Sequence, residues 1–170
     1  MSNTFLISKK EMFPIGLILL LTLFRLIPHP WNFTPIIAVA IMSSFLFRNI
    51  YLSLLVLTLS MFLADLFLGF YKDMFFTYAS LFLITFVFFS ISKKINAKNL
   101  FIFGFFGSLI FYLISNFGVW MLSGMYEKSL NGLVTCYILA IPFFKNTLMS
   151  TIIFSYIAFF ANNFYKKKLA

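Results

Sequence analysis

The chain reads as an all-α polytopic membrane protein with about six transmembrane helices. Hydrophobic residues make up 62% of its 170 residues and charged residues only 10%, more apolar surface than one soluble core of this size could hide. The apolar residues fall in long runs, at about 12–27, 35–47, 50–71, 74–92, 99–124 and 132–164, against the roughly 20 apolar residues that span a bilayer. With few exceptions the charges lie in the short gaps between these runs, and the gaps alternate between basic and nearly neutral.

The first run, 12–27, follows Lys9-Lys10 as a signal peptide would. It leads into Arg25 and Pro28-His29-Pro30 with no small-residue cleavage site, so it reads as a retained span. Pro28, Pro30 and Pro35 then fall within eight residues, which excludes regular helix and makes 28–35 a fixed loop. Such irregular backbone is tolerated near a membrane where it caps protein or lines a cavity. The second run, 35–47, is short for a crossing and open to a re-entrant reading. The third, fourth and fifth, at 50–71, 74–92 and 99–124, are long enough to span. The last run is too long for one helix and is interrupted at Ile141-Pro142, where proline removes a backbone donor. A short helix at about 131–141 followed by a span at about 142–164 is expected there. No internal repeat, linker or low-complexity tract divides the chain, so 1–170 reads as a single integral membrane domain.

Lysine and arginine set the orientation, because cytoplasmic loops hold an excess of them. Lys9, Lys10, Arg48, Lys93, Lys94, Lys98, Lys166, Lys167 and Lys168 put nine of the thirteen basic residues on one side. The opposite gaps hold Lys72 beside Asp73 and Lys128 beside Glu127, which nearly cancel. Both termini are therefore expected in the cytoplasm, with the chain in the inner or plasma membrane and the lipid bilayer as its first partner. The net charge of +9 sits at span ends, so no nucleic-acid partner is expected.

A single cysteine, Cys136, excludes an internal disulfide and a multi-cysteine metal site, and the single histidine excludes a His-rich centre. There is no Walker loop, GxSxG, HExxH or dinucleotide fingerprint. No cofactor, no metal and no catalytic residue is assigned, and any nucleotide energy would come from another subunit. The 27 phenylalanines rise together with Ile, Lys and Asn, which reads as compositional bias.

The informative charges are those inside the runs, since an ionisable group in the hydrocarbon costs at least about 2.5–3.5 kcal/mol on insertion scales. Arg25 lies near the outer end of the first helix, with His29 one turn on. Asp65, in a helix running outward from Arg48, falls roughly 7–9 Å below the outer rim at about 1.5 Å per residue. Lys145 follows Pro142, and Asn116 and Trp120 lie in the outer half of the fifth helix. Their shared depth points to a cavity open to the outside, bordered by Arg25, His29, Trp31, Asn32, Asp65, Tyr71, Tyr78, Asn116, Trp120, Lys145 and Asn146. Each residue also has a purely structural reading. Arg25 and Asp65 could pair across helices, Lys145 could snorkel to headgroups, and the tryptophans could belong to the interfacial belt. Cys136 reads as a packing residue, and Asn116 as a bond between helices.

Four blocks carry a resemblance: Arg25-Leu26-Ile27-Pro28-His29-Pro30-Trp31-Asn32-Phe33-Thr34-Pro35, Ala64-Asp65-Leu66-Phe67-Leu68-Gly69-Phe70, Asn116-Phe117-Gly118-Val119-Trp120 and Ala140-Ile141-Pro142-Phe143-Phe144-Lys145-Asn146-Thr147. They resemble the PHPxNFTP, NFGVW and AIPFFxNT signatures of a family of small, uncharacterised bacterial integral membrane proteins. More distantly, the six-helix size and outer polar cluster are similar to the S components of energy-coupling-factor vitamin transporters, above all the solitary cobalamin-type ones. That second resemblance implies a six-helix, S-component-like bundle. It would bind a scarce nutrient in an outer cavity and release it inward, alone or against an energising ATPase and transmembrane module. His29, Asp65, Tyr78 and Lys145 match the ligand-bordering positions of those relatives. The cobalt-ligating cysteine of the relatives has no counterpart in residues 66–80, so the resemblance does not carry cobalamin over as ligand.

Three functions follow as expectations. The first is a capture or uptake protein for a small, vitamin-like nutrient, with Arg25 and Lys145 available for an anionic group. The second is a membrane-embedded enzyme or enzyme subunit in which Asp65 and His29 act as acid and base, which needs them within about 3 Å or one water of each other. The third is a structural or assembly protein whose polar groups only pin helices together, and which would have no cavity.

Overall fold

A computed structural model describes residues 9–47, 49–91 and 95–169. Among them the chain forms six α-helices and no strand: α1 (Lys9–Leu23), α2 (Ile36–Leu46), α3 (Ile50–Leu68), α4 (Met74–Ile91), α5 (Ala97–Leu122) and α6 (Leu130–Leu169). A 3₁₀ turn, Phe24–Leu26, continues α1 and carries Arg25. Arg48, Lys93 and Lys94, three of the residues from which orientation was read, lie outside the described residues.

The short second helix is the centre of the bundle. Every residue from Ile36 to Ser44 is buried, and α2 packs against each of the other five helices. A helix apolar on all sides has no polar face to offer and is enclosed by its neighbours. Its two serines are satisfied within the helix, Ser43 Oγ donating to Ala40 O at 3.0 Å and Ser44 Oγ to Ile41 O at 2.6 Å. From α4, Thr85 donates to the same Ala40 carbonyl at 3.2 Å. Eleven residues at about 1.5 Å each reach roughly 16 Å, about half of a hydrocarbon core.

Among the described residues, helices α3, α4, α5 and α6 are the four that are long and apolar enough to cross a membrane. The exposed side of α3 carries Leu55, Leu59, Phe62, Leu63 and Leu66, spaced as one helical face. A stripe of that width without a protein partner is what lipid covers. Asn49 starts α3 by accepting from the Tyr51 N–H at 2.8 Å. Gly69, at φ +90°, ends it with its N–H on Asp65 O at 2.8 Å. The left-handed backbone that glycine permits thus turns the chain away one turn after Asp65.

Proline at 142 does not divide the last run. One helix passes through it from Leu130 to Leu169, in place of the short helix and separate span expected from the sequence. Ahead of Pro142 the neighbouring helix is bonded to α6: Tyr112 Oη donates to Tyr137 O at 2.5 Å, and Tyr137 Oη donates to Leu113 O at 2.6 Å. Helices α5 and α6 pair from there to the far end, where Tyr156 Oη reaches Ala97 O at 2.6 Å.

Candidate functional site

The loops 27–35, 69–73 and 123–129 share one end of the bundle, and a cavity of about 290 Å³ opens among the helices there. Helix α5 contributes Phe111, Tyr112, Ser115, Asn116 and Val119, and α6 contributes Ala140, Phe143, Phe144 and Thr147. Each set is one helical face. Arg25, Asn32, Thr34, Ile36, Tyr71, Asp73 and Thr77 complete the lining. Pro35, the residue before α2, supplies no capping side chain, so the start of α2 at Ile36 meets the cavity without one.

Behind Arg25 lies an ionic cluster. Asp65 is fully buried, and Arg25 Nη2 stands 2.9 Å from its Oδ1. Tyr78 Oη donates to its Oδ2 at 2.7 Å. The other guanidinium nitrogen, Nη1, rests 3.4 Å from Met61 Sδ. One helical hairpin and the end of α1 are thereby locked together around a single carboxylate. At the cavity wall, burial pushes the Tyr71 hydroxyl above its ordinary value, so this phenol stays protonated at neutral pH.

The cavity gathers some of the residues singled out in the sequence and leaves others apart. Arg25, Asn32, Tyr71 and Asn116 line it, while Asp65 and Tyr78 stand behind Arg25. Trp31 is 80% exposed, and its carbonyl accepts from Asn146 Nδ2 at 3.0 Å. These two residues tie the proline-rich loop to α6. Thr147 adds a longer contact to Asn32 O at 3.4 Å. His29 turns its Nδ1 to Ile27 O at 2.6 Å and is not brought to Asp65. Trp120 belongs to the α5–α6 turn, where its Nε1 donates to Glu127 O at 2.9 Å and the Lys128 ammonium lies 5.3 Å from its ring centroid.

Lys145 is exposed and lines no part of the cavity. With about 100° per residue, it sits roughly 150° around α6 from the centre of the face made by Ala140, Phe143, Phe144 and Thr147. The pairing of Arg25 with a possible anionic ligand is likewise answered from within the protein, by Asp65. Residues not anticipated include Asp73, Thr77, Ser115, Tyr112, Phe144 and Thr147. Thr147 and Phe144 fall on the helical face set by Ala140, a signal the sequence did offer. Asp73 was hidden by its neighbour Lys72, which it seemed to neutralise, although Lys72 is exposed and outside the lining.

A second cavity, of about 310 Å³, lies at the opposite end of α2, lined by Met42, Phe45, Leu46, Ile95, Phe159, Asn162, Asn163 and Lys166. Between the two, Ile37 to Ile41 of α2 are buried to within 1% of their surface.

An all-helical bundle with four membrane-length apolar helices and a polar cavity at one end has the build of a helical membrane protein with room for a small molecule. The chain belongs to DUF6580, a family of unknown function, whose model matches residues 6–170. Neither a curated protein nor a solved structure matches it.

Proposed function

We propose that this protein captures a small polar nutrient at the outer face of a cell membrane, as a substrate-binding or uptake component. The observation that carries the reading is the cavity beside Arg25. It holds amide, hydroxyl, carboxylate and aromatic groups from five separate segments, and its volume is at the lower end of small-molecule sites. A protein whose polar groups only pinned helices would have no reason to leave that space unfilled.

In this reading the chain crosses six times with both termini in the cytoplasm, α1 and α2 supplying the shorter passages, and the cavity faces outward. The cavity at the other end of α2 supports movement of the captured molecule. Passage would require α2, or the α6 face beside it, to shift, either in the protein alone or against an energising partner of the kind used by S components. The acid–base alternative draws no support from the geometry, since His29 and Asp65 each engage other groups.

Thermal unfolding of the detergent-purified protein against a panel of vitamins, nucleobases, amino acids and amines tests this, because a ligand that binds only the folded state must stabilise it. The expected result is a saturable rise in Tm that is weakened in Asn116→Ala and retained in Lys145→Ala. A panel without any shift would overturn it.

A further inference from the structure

We infer that the ligand of the outer cavity carries a protonated amine, held by the carboxylate of Asp73 among aromatic rings. This rests on the capture reading above and assigns the charge of what is captured.

The argument is one of charge balance. Two cationic side chains were candidates to meet a ligand, and neither brings an uncompensated positive charge to the cavity. The Arg25 guanidinium is paired with buried Asp65 at 2.9 Å, and Lys145 is exposed on the far side of α6. Among the described residues that line the cavity, the charged ones are Arg25 and Asp73. With Arg25 neutralised, Asp73 is the one uncompensated charge, and it is negative. In a partly enclosed space an uncompensated charge attracts its opposite far more strongly than in bulk water.

The walls suit the same ligand. Tyr71, Phe111, Tyr112, Phe143 and Phe144 place aromatic rings around the space, and ring faces attract cations. Ser115, Asn116 and Thr77 add neutral hydrogen-bonding groups, and none of these opposes a positive charge. The position of Asp73 suits a negative charge. Asp73 precedes α4 directly, its carbonyl accepting from the Phe76 and Thr77 N–H groups at 3.0 and 3.2 Å, and the start of a helix favours negative charge. The start of α2 at Ile36 also borders the cavity, so a molecule with an acceptor elsewhere, such as a zwitterion, is compatible with the same site.

That helix-start position provides a clean test, because asparagine caps a helix about as well as aspartate while removing the charge. Three matched probes, phenethylamine, phenylalanine and 3-phenylpropionate, together with the nutrient panel, are titrated against the full-length protein in detergent at pH 7, followed by Tm. The expected result is stabilisation by compounds with a protonated amine, at least ten-fold weaker in Asp73→Asn, whose Tm without ligand stays near that of the native protein. Should Asp73→Asn itself unfold, competition of the amines by 3-phenylpropionate on the native protein decides the sign. Stabilisation by 3-phenylpropionate or another uncharged or anionic compound, with amines inert, overturns the amine assignment and leaves capture standing. No shift with any probe or panel member overturns both.

Discussion

The carboxylate of Asp65 stands 2.9 Å from the guanidinium of Arg25, forty residues earlier in the chain, and is fully buried. Tyr78 occupies its second oxygen at 2.7 Å. Arg25 sits in the 3₁₀ turn after α1, Asp65 in the last turn of α3 and Tyr78 in the second turn of α4. Three elements, of which the 3₁₀ turn and α4 also line the outer cavity, therefore meet at a single charge.

Removing one member of such a buried pair leaves the other charge uncompensated, at a cost of about 3–5 kcal/mol. Arg25→Met is accordingly expected to lower Tm markedly, whereas Arg25→Met combined with Asp65→Leu recovers much of the loss. Tyr78→Phe, which removes one hydrogen bond to a charged acceptor, should cost about 1.5–3 kcal/mol. Thermal unfolding of the four proteins in one detergent checks the order. A double variant no more stable than Arg25→Met would show that the pair does not act as a unit.

Gly118 of α5 is packed against the first turn of α4: a β-carbon built there would stand 2.5 Å from Phe76 Cβ. Overpacking of this kind forces neighbours off their rotamers at about 1–3 kcal/mol. Gly118→Ala should lower stability, and because the contact is with Cβ and Cγ of Phe76, which leucine keeps, adding Phe76→Leu should restore little of it. Gly16 has nothing within 4 Å of the same construction, so Gly16→Ala serves as the control and should leave Tm unchanged or slightly raised.

Much of this was legible in the sequence, for reasons that differ by level. The apolar runs marked the helices because lipid-facing and buried helices are both apolar, and the prolines of 28–35 marked the loop that precedes α2. The same uniformity hid the arrangement. With α2 apolar on every side, nothing in Ile36–Leu46 announced that it is the hub of the bundle. Pro142 misled because its cost is local, one backbone donor, while α6 is held to α5 by bonds on either side of it, such as Tyr112 Oη to Tyr137 O and Tyr156 Oη to Ala97 O. Depth alone brought Arg25 and Asn116 to the cavity lining and Asp65 to the group behind Arg25. Residues were misplaced where the side of a helix decided the matter, as with Lys145 and Trp120.

The loop 28–35 is fixed to α6 by the bond from Asn146 Nδ2 to Trp31 O at 3.0 Å. Its Asn32 adopts the left-handed φ of +58°, a conformation uncommon outside glycine but comparatively accessible to asparagine. Asn146→Ala removes the tether without touching the cavity lining. Backbone amide exchange in residues 29–34 is expected to quicken several-fold while exchange in α2 stays unchanged, read by hydrogen–deuterium exchange with mass spectrometry. Equal rates in both proteins would show that the prolines alone hold the loop.

The orientation proposed for the bundle is open to a direct test, because the native thiol interferes little. Cys136 is 1% exposed, with Sγ 3.4 Å from Asn116 O, so in the folded protein it should react slowly with maleimides compared with an exposed cysteine. Single substitutions can then report one position at a time. Lys72 and Lys128 lie in the loops at the cavity end, while Lys98 and Lys167 lie at the end where Tyr156 meets Ala97. With the cavity outward, Lys72→Cys and Lys128→Cys should be labelled by a membrane-impermeant maleimide in intact cells. Lys98→Cys and Lys167→Cys should be labelled only after the membrane is opened. The reverse pattern would place the cavity on the cytoplasmic side, and capture from outside would then have no entrance; labelling of Lys72→Cys and Lys167→Cys from the same side would break the six-crossing arrangement itself.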